Sequence, residues 1–424
     1  MKRFLAVSLV VLTLFCVAAG MAFGGGRADG GRDERIQIEF WTLSLQPTFT
    51  GFIQSLIDKY EAGHPNIRIY WQDLPWDGIQ DKFLTTTAGG NPPDVVNIWS
   101  QLALTYAGKG ALLDLEANAS PAQKSIYLEA AYNSARLGNG VYAFPWYATP
   151  NISVYNKELL AQGGLSKPPA TFDEAFTMAV DFRAKTGAYL LTPPSMFHVF
   201  YNYGIPMVSA DKKRAAFNTP EAVALVTRLR DLGRAGAFNT EPGSWDNWDG
   251  DRQLYATGKL AMVLGGPQTV TRIKDEAPAM LAKTGVGPAV MGPAKISGEA
   301  IMNMVISKAS KHPKEAIDFA NFITNDENQL AFCHIVSIFP TTKIAAADPF
   351  FQSDMESLEG QANYYASISA QDAVDMTLGL ENDENVKQEI DNITDAIFAT
   401  GTDPAQAIAN AETRVNELLA QNSN

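Results

Sequence analysis

The sequence predicts an α/β protein of two lobes, each a mainly parallel sheet flanked by helices, joined by more than one crossing segment. Three observations carry this expectation. The chain has 424 residues, 46% of them apolar and 19% charged, enough for two or three core-sized units and ordinary for a globular protein. Strand-like and helix-like periods alternate from about residue 36 to 98, the rhythm of parallel strands with crossover helices. Extended segments near 141–155 and 292–302 interrupt that rhythm before it resumes, as chain passing between lobes would.

The elements follow in order. Ile36 to Trp41 (IQIEFW) alternates as a strand, and Phe49, Phe52, Ile53, Leu56, Ile57 and Tyr60 fall on one helical face that Gly63-His64-Pro65 ends. Ile67 to Trp71 is the next strand; Asp77 with Gln80 reads as a capping box opening a helix to Ala88, and Val95 to Ile98 is a third strand. Val141 to Phe144 and Ile152 to Tyr155 are extended and flank Pro145 and Pro150. Beyond them, Thr171 with Glu174 and Thr219-Pro220-Glu221 open helices. Leu260 to Leu264 reads as a buried strand turned by Gly265-Gly266-Pro267 into another helix. Met304-Val305-Ile306 is strand-like, His312-Pro313 opens a helix, and Pro404 opens the last one.

The first residues read as an address. Lys2 and Arg3 precede an apolar or small run from Phe4 to Ala19, shorter than the ~20 residues of a bilayer span and followed by small residues. Residues 1–23 are therefore expected to be an export signal and 24–35, with its Gly-rich GGGRADGG, a flexible tether. Cys16 is either discarded with the signal or acylated as a lipid anchor, although Phe15 stands where a small residue usually precedes an acylated cysteine. The 33 basic and 46 acidic residues give a net charge of −13, which disfavours nucleic acid and anionic membranes as partners. Two cysteines and four histidines leave little for a metal site or disulfide framework, so no cofactor or metal is expected.

In this order the segments resemble the family-1 extracellular solute-binding proteins of ABC importers, the maltose-binding-protein-like group. The resemblance rests on Phe40-Trp41, Asn91-Pro92-Pro93-Asp94-Val95-Val96, Leu112-Leu113-Asp114-Leu115, Phe144-Pro145-Trp146-Tyr147 with Tyr155 to Leu160, and Ala256 to Met262 with Gly265-Gly266-Pro267. It implies a two-lobed periplasmic-binding-protein fold of type II with three crossovers, one lobe of about 36–146 plus 296–343 and another of about 150–292 plus 346–424. It further implies a periplasmic or cell-surface monomer that binds a carbohydrate, closes by a hinge and docks on the importer's membrane permease. Two positions depart from the sugar binders of the group. Thr149 stands where many carry an acid, and Gln268 where many carry Trp.

A sugar presents hydroxyls for hydrogen bonds and C–H faces for stacking, so a sugar cleft combines polar side chains with exposed aromatics. In open α/β sheets such a cleft lies beyond the carboxyl ends of the strands. Candidates there are Trp41, Thr42 and Ser44 after the first strand, and Trp99, Ser100 and Gln101 after the third. For both tryptophans the competing role is lobe core. Trp146, Tyr147 and Thr149 lie in the first crossing, Trp245 and Trp248 in the polar SWDNWDGD segment, and Glu299 in the second crossing. Gly265, Gly266 and Gln268 sit at a helix N-terminus, where free N–H groups can meet ligand oxygens. Asp246, Asp249 and Asp251 miss the calcium-loop spacing and read as solvated acids, and Trp71 and Trp76 as packing.

Two other function classes compete. A glycoside-active enzyme needs paired carboxylates, and no G-x-S-x-G or complete P-loop is present. A binder of another solute, such as a peptide or polyamine, shares the fold, but a cationic solute requires more cleft carboxylates than the sequence places there. Mass spectrometry of the native protein is expected to find no residue before about Gly24; a chain retaining Met1 contradicts export, and one starting at an acylated Cys16 identifies a lipoprotein.

Overall fold

The computed structural model describes residues 34–371 and 373–421; the expected signal with Cys16, and the tether up to residue 33, lie outside them. Among the described residues twelve strands form in chain order: β1 (Ile36–Leu43), β2 (Ile67–Leu74), β3 (Val95–Trp99), β4 (Arg136–Leu137), β5 (Gly140–Val141), β6 (Phe144–Pro150), β7 (Ile152–Asn156), β8 (Met262–Gly265), β9 (Thr284–Gly287), β10 (Ser297–Ile306), β11 (Phe339–Pro340) and β12 (Ala373–Asp375). One sheet runs β11-β6-β10-β3-β1-β2 with β12 beside β10, a second runs β8-β7-β9, and β4 and β5 make a small hairpin.

Strand direction corrects the expectation of mainly parallel sheets. β1 is parallel to β2 and β3, and β12 to β10, but β10 is antiparallel to both β3 and β6, β11 is antiparallel to β6, and β7 is antiparallel to β8 and β9. The cause lies in the crossings. β6 leaves the first sheet toward the cleft, and β10 re-enters from that end between β6 and β3, pairing Met302 with Trp99 and Ile306 with Val95. A strand that enters from the cleft end has to run against those that point toward it.

The helices behave largely as the sequence periods require. Thr50–Gly63 buries Ile53, Leu56, Ile57 and Tyr60. Thr171 caps Phe172–Thr186 by accepting from the Glu174 N–H, and Thr219 caps Pro220–Arg234 through the Ala222 N–H. The helix Ile79–Ala88 instead starts from Gly78 after a short turn, without a side-chain cap at that residue. No helix among the described residues is long and apolar enough to cross a membrane.

Around the first sheet, one face gathers Phe40, Ile53, Tyr60, Phe144, Trp146, Phe319 and Phe332, and the other Trp41, Phe83, Ile98 and Tyr106. Cys333 is unpaired and buried in the first of these clusters. The second sheet is covered by Phe176, Phe200, Phe217, Leu229, Ile390 and Val415 on one side and by Tyr255, Val263 and Ile273 on the other. Phe351 still packs with the first group, on Phe339, whereas Ala362 and Ala366 join the second.

Trp146 is core. Its side chain is 0% exposed and stacks on Phe332 with ring centroids 5.2 Å apart. Truncating so large a buried ring leaves a cavity that neighbours fill only in part. Trp146→Ala is expected to lower stability by about 3–5 kcal/mol, read by denaturant unfolding, while the affinity of the surviving folded protein for its ligand stays near normal.

Candidate ligand-binding cleft

Between the ends of the two sheets lies a cleft of about 450 Å³. Its floor is strand-end backbone: Thr149, Asn151 and Ile152 where β6 passes into β7, and Gly298 to Ile301 at the start of β10. Trp99 and Gln101, at and after the end of β3, form one wall; Leu264, Gly265, Gly266 and Gln268, at and after the end of β8, stand on the other with Trp248. Gly266 is required by close approach, since a Cβ there would lie 2.8 Å from the Thr149 Cβ and 2.3 Å from Gln268 Oε1.

The structure sorts the sequence candidates. Trp99, Gln101, Thr149, Trp248, Gly266, Gln268 and Glu299 line the cleft. Trp99 is half-buried and its ring lies 5.9 Å from that of Trp76. Trp76, read as packing, is 50% exposed, so that reading is corrected. Trp248 is half-buried; its Nε1 donates to Thr269 Oγ1 at 3.2 Å and the Arg252 guanidinium covers its ring at 4.3 Å.

Others are withdrawn from the site by burial or position. Trp41 is sealed in the core, its Nε1 donating to Glu39 at 2.7 Å. Thr42 is buried and donates to Asp73, while Ser44 is exposed at the end of β1, away from the residues lining the cleft. Ser100 is buried and accepts from Asn303 Nδ2 at 2.9 Å. Trp146 and Tyr147 pack edge-on to one another beside Phe332 and do not line the cleft. Trp245 is 9% exposed, donates to the Asn239 carbonyl at 2.9 Å, and faces a separate cavity of about 210 Å³. Each of these tryptophans is packed into a hydrophobic cluster by elements distant in sequence, which residue type alone does not reveal.

Of the acids of SWDNWDGD, Asp249 and Asp246 are exposed as expected, Asp249 pairing with Arg252 and Asp246 bordering the cleft, whereas Asp251 is half-buried against it. Asp251 accepts from the Thr192 hydroxyl at 2.6 Å. Burial pushes it up to about 7, the Thr192 bond offsetting part of that and the Asp246 charge adding to it. Burial pushes Asp246 up as well, yet His198 at 3.8 Å and Lys387 at 3.3 Å outweigh it and its pKa falls. Burial lowers the pKa of His198. Lys387 bonds both Asp246 and Asp391 and, with Asp246, lines both cavities.

On the floor, Glu299 lies opposite Pro150 on one side and Asp375 on the other. Burial pushes Glu299 up to about 7. Asp375 is raised well above the usual carboxylate range by burial, in part offset by a hydrogen bond from Ser100 and reinforced by Glu299 and Asp383. Two acceptors lining the cleft, Asp375 Oδ2 and Gln268 Oε1, are shut off from solvent and have no hydrogen-bond donor among the described residues. Asn151, Thr192, His198, Asn202, Asn247, Asp375, Glu384 and Lys387 complete the polar lining and escaped the sequence reading. The acid start of the helix Asp383–Phe398 was the one available signal for Glu384.

The model of the bacterial extracellular solute-binding protein family matches residues 55–359, and the chain belongs to that family. Diacetylchitobiose-binding protein DasA of Streptomyces coelicolor is 25% identical over 372 residues, covering 84% of this chain and 83% of that protein. A provisionally assigned oligosaccharide periplasmic-binding protein of Synechococcus sp. superposes with a TM-score of 0.83 at 27% identity, over 91% of this chain and 99% of the other. Maltose-bound MalE3 of T. maritima gives 0.74 at 20% identity, over 90% and 100%. The fold is therefore the two-lobed, type II periplasmic-binding-protein fold.

The cleft acids make a pH prediction. A carboxyl whose folded pKa is raised holds its proton more tightly when folded, so its stability contribution is full below the unfolded pKa and is lost as pH rises through the folded value. For Glu299 the window runs from 4.5 to about 7. Glu299→Gln cannot ionise, so its melting temperature should gain on the parent between pH 5 and 8. The gain corresponds to about 2–3 kcal/mol, at about 1.4 kcal/mol per pKa unit; parallel melting-temperature curves would contradict it.

Proposed function

We propose that this solute-binding protein takes a carbohydrate into the cleft, closes its lobes over it and presents the unaltered sugar to the membrane subunits of an ABC importer. The observation that carries this reading is the pairing of opposed indoles, Trp99 and Trp248, with acceptors that have no donor, Asp375 Oδ2 and Gln268 Oε1. A ligand that fits must offer flat C–H surface and hydrogen-bond donors together, and a pyranose does both. Glu299 supports the reading too. The acid absent at Thr149 stands one residue along the paired strand, since Thr149 faces Ala300 in the ladder.

The same reading places the lobes at about 36–146 plus 296–353 and about 150–292 plus 358–421, with the chain returning to the second lobe after Phe351, whose ring stays with the first core. It also places the chain outside the cytoplasmic membrane, exported by the signal or anchored through Cys16, and acting as a monomer that binds and releases rather than as an enzyme.

Incubation with labelled oligosaccharides, followed by recovery and melting-temperature measurement, tests this. Saturable stabilisation with the sugar recovered intact is expected, about 2.7 kcal/mol at a hundredfold excess over Kd; turnover would make the protein an enzyme. A protein stabilised by peptides or amino acids but by no sugar would overturn the reading. Trp248→Ala and Trp99→Ala should each weaken sugar binding by about 10- to 100-fold, from lost stacking and buried area. An unchanged affinity in both would remove the indoles from the site.

A further inference from the structure

We propose that the ligand carries a basic nitrogen seated on the paired carboxylates of Glu299 and Asp375. This deepens the carbohydrate reading and rests on it, and a sugar unit bearing a free amine is the class that meets both demands. Glu299 and Asp375 are direct partners in the parallel ladder of β10 and β12, and neighbouring strands lie ~4.8 Å apart. Like charges opposite one another in a sheet repel, and burial adds a desolvation cost, so the pair ionises fully only when a counter-charge repays that cost and otherwise holds a proton. The protein supplies none at hand. Neither acid forms an ion pair among the described residues. The lysine lining the cleft, Lys387, is committed to Asp246 and Asp391. The histidine lining it, His198, faces Asp246, and burial disfavours its charged form.

What remains is a floor with an acid pair and an open acceptor. Asp375 Oδ2 is closed to solvent without a donor. Asp251 and Glu384 add two further carboxylates to the lining, so five acids face one lysine across the cleft. A bare metal ion does not fit, because no group of three or more His, Cys, Asp or Glu among the described residues could hold one. An alkylammonium suits the pair better, since it brings three N–H donors and needs only two or three acceptors. The acidic lining also raises the local concentration of a cation before contact.

Isothermal titration of the mature chain at pH 7.5 tests the inference with four probes: the β-1,4 disaccharide of glucosamine, its N-acetylated form, cellobiose, and spermidine. The free-amine disaccharide is expected to bind at least tenfold more tightly than the acetylated form and cellobiose. Glu299→Gln and Asp375→Asn, which keep shape and remove charge, should shrink that preference to within about twofold, with melting temperatures confirming that both variants fold. Cellobiose or the acetylated sugar binding as tightly as the amine overturns the inference and leaves the carbohydrate reading standing. Spermidine binding without any sugar supports the nitrogen site while overturning the carbohydrate reading. Silence from all four probes, or a preference untouched by both substitutions, overturns the inference.

Discussion

The antiparallel ladder between β6 and β10 is the constraint on which the rest of the structure depends. Each strand is part of a sheet at one end and part of the cleft floor at the other, with Phe144 against Met304 deep in the lobe and Pro150 against Glu299 at the opening. Backbone hydrogen bonds hold the two passes of the chain together, so the floor keeps its shape whatever the walls do. The β-bulge between Met302 and Asn303 adds local twist just below it. Buried amides lock this region: Asn303 donates to Ser100, and Asn97 donates to the Asn303 carbonyl.

Fixing the floor fixes the chemistry above it. Because β12 adds to the same strand, Asp375 arrives beside Glu299 from a segment more than seventy residues away. Because β7 continues directly from β6, the end of β8 comes close enough for Gly266 to lie against Thr149. The walls are less constrained. Trp99 ends β3 and Trp248 opens the helix Trp248–Ala256, so the two indoles are carried by separate elements rather than by the floor.

Much of the fold was legible because its signals are local. The alternation of Ile36–Leu43 and the apolar face of Thr50–Gly63 are each contained in one element. Strand direction was not legible, because it depends on where β6 and β10 come from rather than on their own residues. The site divides the same way. Trp99, Gln101, Gln268 and Glu299 follow strand ends or open the second crossing, and that position alone brings them to the cleft. Trp146 misled because β6 is covered on both faces near its start, so an aromatic there is enclosed although its strand ends in the cleft. Asp251 misled in the opposite sense: a polar segment looks solvated until Thr192 comes against it from elsewhere.

The burial of particular indoles has an optical consequence. Of the seven tryptophans, Trp41, Trp146 and Trp245 are buried away from the cleft and Trp71 packs against the first core with its Nε1 donating to Thr42, so their emission is a steady background indifferent to what enters the cleft. Trp99 and Trp248 line it, and Trp76 stands exposed beside Trp99. Any ligand-induced change in intrinsic fluorescence therefore originates in very few rings, placed on opposite walls, and the unmodified protein carries its own reporter of occupancy.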